Sequence, residues 1–511
     1  MLRVAGGDVV KRLGFAGNLR MSGAIPGGHA TDLAVPLVGD WSQGAGLTIG
    51  RSCAMVRFDR LRLSGLELAR RSLALCPPRG GAIGRAGPQG MRIAAGAPAL
   101  DLSGRLGGTP VRLASGPVGL AWPGNLAARS IDVSLGPARN ASRFRIGHVS
   151  ARIGGDVSGG FDNASVALNG VPLDLSEASG RWRYADGVLS LSDGTLRVSD
   201  REAVDRFQPL VANGATLRLE DNRIAASALL REPESQREVV LAEIAHDLGL
   251  GTGHADLIVE GLLFDKAVQP DTLSHLALGV IANAEGTVRG TGRIDWNETG
   301  VTSSGSFSTD RLDFAAAFGP VTGASGTIEF TDLLDLVTAP DQTLRFAAIN
   351  PGIEVNDGVA TFELQPGRVL AMKGARWPFL DGNLTLLPVD IPIGSSEPVR
   401  YVLAIEGIDA ARFVQRIELT NLSATGVFDG QVPLVFDKDG GRIEAGHLTS
   451  RPPGGNISYV GELTYKDLSA MGNFVFDALR SIDYRQMAIQ LDGPLAGEII
   501  TRVAFDGISQ G

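Results

Sequence analysis

Most of the sequence consists of short runs in which apolar and polar residues alternate, bounded by Gly, Asp or Asn. Such alternation is typical of β-strands that bury one face. In DGVLSLSDGTLRVSD, Leu189 and Leu191 share one face. A Ser-Asp-Gly turn follows, and Leu196 and Val198 then supply the next apolar pair. This stretch therefore predicts a β-hairpin.

The same pattern recurs along the chain, in segments such as GTVRGTGRIDW, GSFSTDRLDF, GVATFEL, GNLTLLP, YVLAIEG, GVFDGQVPLVFD, GNISYVGELTY, MAIQLDG and GEIITRVAF. Strands at intervals of about 8 to 12 residues predict a mainly all-β fold, a long antiparallel meander of about 30 strands. A sheet of that length must twist and curl. Its apolar face needs a partner, which could be a second sheet, the same sheet folded over, or a ligand.

Helix-like spacing is confined to four short stretches, 271–284, 330–337, 409–419 and 473–482. We interpret them as plugs or edge covers, and Asp271 is a candidate N-cap for the first. No linker rich in Pro or Ser divides the chain. A soft boundary is expected near 235, where EPESQRE interrupts the pattern, which gives the segments 1–235 and 236–511 of one continuous elongated sheet.

Composition indicates a folded chain with many turns. The 511 residues include 68 glycines, yet 44% of residues are apolar and 20% charged, which is too apolar for a disordered tract. The net charge is −9, with five lysines against 42 arginines. No block of consecutive basic residues offers phosphate neutralisation, which argues against nucleic acid as a partner.

Two cysteines, Cys53 and Cys76, flank two predicted strands joined at Ser64 and Gly65. A hairpin there would bring the thiols within disulfide reach, so we favour a disulfide, with two buried free thiols as the alternative. The N-terminal sequence has neither a signal-peptide core nor an apolar stretch of membrane-spanning length. We therefore expect a soluble chain. Because the last residues, FDGISQG, directly follow a strand-like segment, we also expect a fragment cut at both ends.

Motifs that could carry chemistry are weak. GISQG (507–511) has the spelling of a nucleophile elbow around Ser509, but no helix, acid or histidine follows it. The six histidines fit no metal-ligand spacing; only His246 and His254 are close, and strand-surface or turn positions explain them. The glycine clusters GLGTG and GTVRGTG lack a phosphate-loop pattern and indicate turns and bulges. We therefore predict neither an enzyme nor a bound cofactor or metal.

Aromatic and acidic residues have ordinary structural explanations. Trp182, Trp296 and Trp377 each lie in an alternating run and are expected to be buried at the sheet surface. Asp429, Asp437 and Asp439 lie in FDG and FDKDG, where we expect turn residues and not general acids or bases.

From about residue 236 to the end, the sequence resembles the C-terminal region of the YdbH-like proteins, members of the AsmA-like and TamB-like group of bacterial envelope proteins with repeating β-grooves. The resemblance is carried by a succession of segments, including GHADLIVEGLLFD, ASGTIEFTDLLDLVTAPDQTLRFAAINPGIEVNDGVATFEL, ARWPFLDGNLTLLP, LSATGVFDGQVPLVF, GGRIEAGHLTSRPPGGNISY and DYRQMAIQLDGPLAGEIITRVAFDG. The first half, with NGVPLDLSEASGRWRYADGVLSLSDG, fits the same family less closely.

The resemblance implies a folded-over sheet (a β-taco, or repeating β-groove) that is anchored to the bacterial inner membrane and crosses the periplasm. It further implies phospholipid as cargo, carried toward the outer membrane, with a small outer-membrane lipoprotein as a candidate partner. The anchor is not in this sequence, and the resemblance supplies no catalytic residues. An older description of the domain, dicarboxylate transport, has little physical support, since a small dianion needs convergent basic groups.

One-sided alternation and the resemblance together predict a lipid conduit. An acyl chain of about 16 carbons in water costs on the order of 12 kcal/mol, so moving lipid across an aqueous gap requires continuous apolar shelter. The alternative is a structural or adhesive β-solenoid with a self-filled core. The candidate groove-lining residues are the apolar members of alternating runs: Phe362, Leu364, Leu370, Met372, Leu384, Leu386, Leu403, Ile405, Met487, Ile489 and Leu491.

Overall fold

The structure is a computed structural model of the chain. It describes residues 2–6, 11–25, 28–63, 65–88, 90–139, 141–153, 156–167, 172–278, 280–297, 299–316, 318–351, 354–394, 397–416, 421–437, 440–459 and 481–509, with only the backbone for 2–6, 505, 508 and 509. Strands account for 76% of the structure and helices for 3%. The predicted all-β class, with one long antiparallel sheet and few short helices, is confirmed.

The described residues contain 36 strands of this sheet. The first 19 are β1 (Leu2–Gly6), β2 (Arg12–Ile25), β3 (Gly28–Ser42), β4 (Gly46–Ile49), β5 (Ala54–Leu63), β6 (Leu66–Leu75), β7 (Gly84–Gly87), β8 (Gly90–Ala97), β9 (Leu100–Leu106), β10 (Thr109–Ser115), β11 (Val118–Trp122), β12 (Gly124–Leu135), β13 (Ser142–Ile153), β14 (Val157–Ala167), β15 (Leu173–Ala185), β16 (Val188–Asp200), β17 (Leu210–Glu220), β18 (Arg223–Arg231) and β19 (Glu238–Asp247).

The remaining strands follow in the second half of the chain. They are β20 (Thr252–Phe264), β21 (Ala282–Asn297), β22 (Gly300–Ala316), β23 (Gly319–Asp332), β24 (Val337–Thr338), β25 (Gln342–Ile349), β26 (Val355–Gln365), β27 (Val369–Phe379), β28 (Gly382–Leu386), β29 (Val389–Pro392), β30 (Val399–Asp409), β31 (Leu422–Ala424), β32 (Val427–Asp437), β33 (Gly440–Ser450), β34 (Gly455–Tyr459), β35 (Ser481–Pro494) and β36 (Ile500–Ser509).

The chain forms two compact units. Unit 1 comprises residues 1–258 and 293–302, and unit 2 comprises residues 259–292 and 303–511. The division passes through strands β20, β21 and β22. The boundary expected near 235 stays a prediction; Glu232, close to it, is buried in the turn between β18 and β19 and accepts a hydrogen bond from the backbone N–H of Glu234 at 3.0 Å.

Strand order in unit 1 is sequential over its second half. From β12 to β20 each strand pairs with the next one along the chain, always antiparallel. Before β12 the order is interleaved, since β3 pairs with both β4 and β5, β6 with β9, and β8 with β11. The predicted meander is therefore correct for β12 to β20 but not for the first strands.

Unit 2 is an antiparallel meander in which short strands lie beside the long ones. The long strands β25, β26 and β27 pair in sequence, whereas β27 pairs with both β28 and β29. Further along the chain, β28 pairs with β30, β30 pairs with β32, and β33 pairs with β35. Each short strand thus extends one end of a long neighbour without interrupting the sheet.

Many strands contain a mid-strand bulge at a residue with left-handed backbone. In unit 1 these residues lie in β12, β14, β15, β16 and β17, and they are Ser130, Asn163, Glu177, Asp193 and Gly214. The register shifts at the same places from β14 to β17. A bulge inserts one residue and bends its strand. The hairpin predicted within 186–200 is therefore wrong: β16 is one strand, because Asp193 forms a bulge and not a turn.

In unit 2 an aspartate of the neighbouring strand satisfies the backbone N–H that a bulge leaves free. The N–H of Gly323 donates to Asp313 Oδ1 at 2.6 Å. The N–H of Gly407 donates in the same way to Asp429 at 2.8 Å, and the N–H of Ala445 donates to Asp492. Asp429 is consequently a strand residue of β32, and its predicted position in a turn is wrong.

The helices are fewer and shorter than predicted. The stretch 409–419 contains helix α2 (Ala410–Arg416), as expected, whereas 271–284 gives only α1 (Pro270–Leu273) and a 3₁₀ turn (His275–Ala277). The N-cap of α1 is Gln269 and not Asp271. The stretch 330–337 is a turn between two strands, and 473–480 lies outside the described residues. No helix of the described part has the length and apolar character needed to cross a membrane.

Apolar residues are buried differently in the two units. In unit 2, large side chains such as Val321, Trp377 and Ile405 belong to one buried cluster that extends from β23 to β33. In unit 1, ten of the 17 buried apolar residues of the described part are alanines. The large apolar side chains of unit 1 are therefore mostly half-buried, and its apolar face is more open to solvent.

Candidate functional site: the apolar face of the sheet

The register of unit 2 brings candidate groove residues together in pairs. Phe362 of β26 lies directly opposite Met372 of β27, and Leu364 lies opposite Leu370. Residues opposite each other in an antiparallel pair project from the same face. In the same way Leu384 and Leu386 of β28 face Ile405 and Leu403 of β30.

One continuous row of apolar contacts crosses six strands of unit 2. Each residue of the row is the direct cross-strand partner of the next, in the order Trp377, Leu384, Ile405, Gly430, Leu448 and Ile489. Of the candidates, Phe362, Leu384, Ile405 and Met487 are buried, and the other seven are half-buried. The apolar face of unit 2 is thus closed to solvent at these four positions and partly open at the other seven.

A longer row crosses ten strands of unit 1, from β11 to β20. Its members, again direct cross-strand partners, are Leu120, Leu126, Ala151, Gly159, Trp182, Leu191, Leu217, Ala226, Ile244 and Ala255. Polar partners occupy the other face; Ser190 and Arg218, for example, adjoin Leu191 and Leu217. All of the candidate groove-lining residues predicted from the sequence lie between 362 and 491, so this row was missed.

A second row runs parallel to the first on the other side of the bulges. It contains Leu102, Leu113, Val133, Phe144, Val166, Leu175, Val198 and Leu210. In β16 its member Val198 is seven residues from Leu191, an odd spacing that would place the two on opposite faces of a regular strand. The extra residue of the bulge at Asp193 restores them to one face.

The bulges therefore widen the apolar face. The same spacing of seven residues separates the two rows in β14, β15 and β17, and a bulge lies between them each time. The signal was present in the sequence, because two alternating apolar pairs separated by an odd number of residues around Asp, Asn or Gly predict a bulge as readily as a turn.

His246 lies on this apolar face. In β19 it follows Leu189, Leu219 and Ile224 in a cross-strand row. The indole Nε1–H of Trp296 donates to His246 Nδ1 at 3.1 Å. Burial lowers the pKa of His246, which favours the neutral imidazole. His246 therefore adds no fixed charge to the face at neutral pH.

The exposure of the tryptophan side chains differs between the two units. Trp377 is buried at 7% exposure, as predicted, whereas Trp182 and Trp296 are only half-buried. Trp41 and Trp122, for which we made no prediction, are exposed at 37% and 45%. Large aromatic side chains on the face of unit 1 are therefore accessible.

The residues that the sequence analysis weighed for chemistry can be located where the structure describes them. In the described part of the chain, the Cys, His, Asp and Glu residues form no group of three that could hold a metal ion. Ser509 ends β36, while Gln510 and Gly511, the rest of its motif, lie outside the described residues. Hydrogen bonds from Arg451 lower the pKa of Asp429. The carboxylate of Asp429 thus accepts a hydrogen bond from the backbone N–H of Gly407 and forms an ion pair with Arg451.

Cys53 and Cys76 lie at the open end of the β5–β6 hairpin. Leu63 pairs with Leu66 next to the turn, and Ala54 pairs with Leu75 at the other end. The two sulfur atoms are bonded, and the Cα atoms are 3.9 Å apart. The hairpin predicted from the sequence is confirmed; oxidation of the thiols in the protein itself stays a prediction.

Comparison with known proteins gives one family. The family model described as YdbH-like, intermembrane phospholipid transport protein YdbH, matches residues 9–511, nearly the whole chain. No curated protein and no solved structure matches. The match extends the resemblance to the first half of the chain, where the sequence segments fitted it less closely.

Proposed function

The chain belongs to the YdbH-like family of intermembrane phospholipid transport proteins, and we propose that its apolar sheet face shelters phospholipid acyl chains between the inner and outer membranes. The observation that carries this proposal is the continuous apolar row from β11 to β20 in unit 1. Membership of the family supports lipid transport and a location in the cell envelope. The family is not a known enzyme family, and we propose a non-enzymatic role.

The dimensions of the row suit this role. Ten strands spaced by about 4.8 Å give a row about 43 Å long, which exceeds the hydrocarbon thickness of a bilayer, about 30 Å. An acyl chain lying along it would therefore stay sheltered over its whole length. Burying such a chain removes a cost on the order of 12 kcal/mol.

The chemistry of the row also suits a mobile cargo. Its ten members are apolar or glycine, and the bulges keep a second apolar row beside it. Contacts of this kind depend on buried area and not on direction, so successive positions along the row bind a methylene chain about equally well. A lipid can then move along the row, because no position binds it much more tightly than the next.

The test is photocrosslinking in cells at paired positions. A photoreactive side chain at Leu191 or Leu217 faces the proposed groove, whereas one at Ser190 or Arg218 lies on the opposite face of the same strands. We expect phospholipid adducts from 191 and 217 and few from 190 and 218. Equal capture at all four positions, or none at 191 and 217, would contradict the proposal.

A structural role with a self-filled core is the second candidate, and it applies to unit 2. There Val321 and Ala324 are exposed by only 1% and 2%, so their side chains already fill part of the face. Crosslinkers at Phe362 and Leu386 decide between the two roles. Lipid capture at 191 without capture at 362 and 386 would assign the conduit to unit 1 and a closed core to unit 2.

A further inference from the structure

The positive charge of the chain is concentrated in one segment of unit 1. Between Arg51 and Arg152 there are 16 arginines and no lysine, against four acidic residues, a net charge of +12. Because the whole chain carries −9, the remainder carries −21. Such asymmetry is typical of chains that contact an anionic surface.

Many of these arginines have no carboxylate partner. Within the part of the chain that the structure describes, nine are exposed and form no ion pair: Arg57, Arg79, Arg85, Arg92, Arg105, Arg129, Arg139, Arg143 and Arg152. Their guanidinium groups are thus free to bind anions from solution. An Arg guanidinium suits phosphate particularly well, since its planar fork can donate two hydrogen bonds at once.

Two of them are placed against each other. Arg85 of β7 and Arg92 of β8 are direct cross-strand partners. Like charges directly opposite are destabilising in a sheet. On the other side of Arg85 lies Thr48, and beyond it Asp40, whose carboxylate already binds Arg51 at 3.1 Å. This row of cross-strand partners therefore brings together the guanidinium groups of Arg92, Arg85 and Arg51 and a single carboxylate. An anion bound to Arg85 and Arg92 would relieve the repulsion between them.

The opposite face of the same strands is apolar and accessible. Met91 of β8 pairs with Ala86, and its side chain is 55% exposed. Ile93 pairs with Trp122 of β11, which is 45% exposed. The hairpin β7–β8 thus presents guanidinium groups on one face and a methionine on the other, where the neighbouring strand β11 adds a tryptophan.

We propose that this hairpin, with the arginines around it, docks on the surface of an anionic phospholipid membrane. Arg85 and Arg92 bind headgroup phosphates, while Met91 and Trp122 enter the interfacial region that tryptophan favours. The exposed apolar side chains favour a bilayer over a nucleic acid duplex, whose bases are stacked inside the helix. The inference goes beyond the proposed function, because it concerns contact with a membrane and not shelter of an acyl chain.

The experiment is vesicle co-sedimentation with the purified 511-residue chain. Vesicles of phosphatidylcholine alone are compared with vesicles of equal parts phosphatidylcholine and phosphatidylglycerol, at low and physiological ionic strength. The variant is Arg85→Gln with Arg92→Gln. The matched control is Arg345→Gln with Arg485→Gln, which removes the same charge from two exposed arginines of unit 2.

We expect binding to the anionic vesicles only, weakened by salt, and reduced about 30-fold in the Arg85/Arg92 variant but not in the control. Circular dichroism should show that both variants keep their strand content. Equal binding to both kinds of vesicle, equal loss in the control, or tighter binding to duplex DNA than to anionic vesicles would overturn the inference.

Lipid extraction from the same purified proteins separates this inference from the proposed function. Acyl lipid should copurify with the Arg85/Arg92 variant as with the wild type. Absence of lipid from every protein, together with normal vesicle binding, would refute the groove alone. Normal lipid content without vesicle binding would refute the docking surface alone.

Discussion

Gly358 and Trp377 show how one residue without a side chain fixes a large one at the apolar face. They are neighbours across β26 and β27, and a Cβ atom on Gly358 would lie 2.0 Å from the indole Nε1 of Trp377. The ring therefore lies against the glycine backbone. Its Nε1 is buried and has no hydrogen-bond partner within the described residues. Close packing, and not a polar contact, holds this tryptophan.

We predict that Gly358→Ala destabilises the protein by about 1 to 3 kcal/mol, because the added methyl group must displace a buried ring. Chemical denaturation followed by tryptophan fluorescence measures the change. Gly119→Ala is the control, since the space around Gly119 is open and an alanine there meets no atom within 4 Å. Equal stability of the two variants would contradict the packing explanation.

Asp200 contributes to the stability of the fold through its ionised carboxylate. Its side chain is fully buried, and it accepts hydrogen bonds from the backbone N–H of Arg206 at 2.7 Å and from Nε at 2.8 Å. Burial by itself raises the pKa of Asp200, but the hydrogen bonds from Arg206 and from the backbone N–H of Glu202, together with the charge of Arg206, outweigh it and lower the pKa from 3.8 to about 2. The ionised form is therefore the one that stabilises the fold.

Because the folded pKa lies below the unfolded value, the contribution of Asp200 is present above about pH 4 and is lost as the pH falls toward 2. It amounts to about 2 kcal/mol. Asp200→Asn should destabilise the protein at pH 7, and the difference from wild type should shrink as the pH falls. A difference that stays constant from pH 7 to pH 3 would exclude ionisation as its origin.

At the scale of elements, local hairpins and mid-strand bulges have different origins. The hairpin β5–β6 follows directly from two alternating runs around Gly65, and its register places Cys53 and Cys76 at the same end. The bulge in β16 depends on the neighbouring strands, since Asp193 opposes no residue of its own. Adjacent residues predict the hairpin directly, whereas around Asp193 they fit a turn and a bulge equally well, and the pairing with β15 and β17 decides between them.

We predict that Cys53 and Cys76 form a disulfide in the oxidised protein. A link between residues 23 positions apart stabilises a fold by about 3 kcal/mol in the chain-entropy estimate. Thiol labelling under denaturing conditions should modify neither cysteine before reduction and both afterwards. Reduction should also lower the denaturation midpoint, whereas Cys53→Ala with Cys76→Ala should make stability independent of reductant. Full labelling before reduction would refute the pairing.

At the scale of the whole molecule, one alternating pattern gives two different environments. The half-buried row of unit 1 includes Leu191 and Leu217, while the row of unit 2 includes the buried Leu384 and Ile405. All four belong to alternating runs in the sequence. The difference in burial suits an open groove in unit 1, and it explains why crosslinking at both sets of positions is needed to test the proposed conduit.

The sequence by itself determined the all-β class, the antiparallel pairing of local hairpins and the apolar character of one face, because these depend on residues close together in the chain. It did not determine the pairing of β6 with β9, the bulge at Asp193 or the partial exposure of Trp182, for which the same alternation predicted burial as for Trp377. Those features depend on partners distant in sequence: a bulge corrects the phase of a strand relative to its neighbours, and burial depends on what packs over each face. Only the tertiary structure decides them.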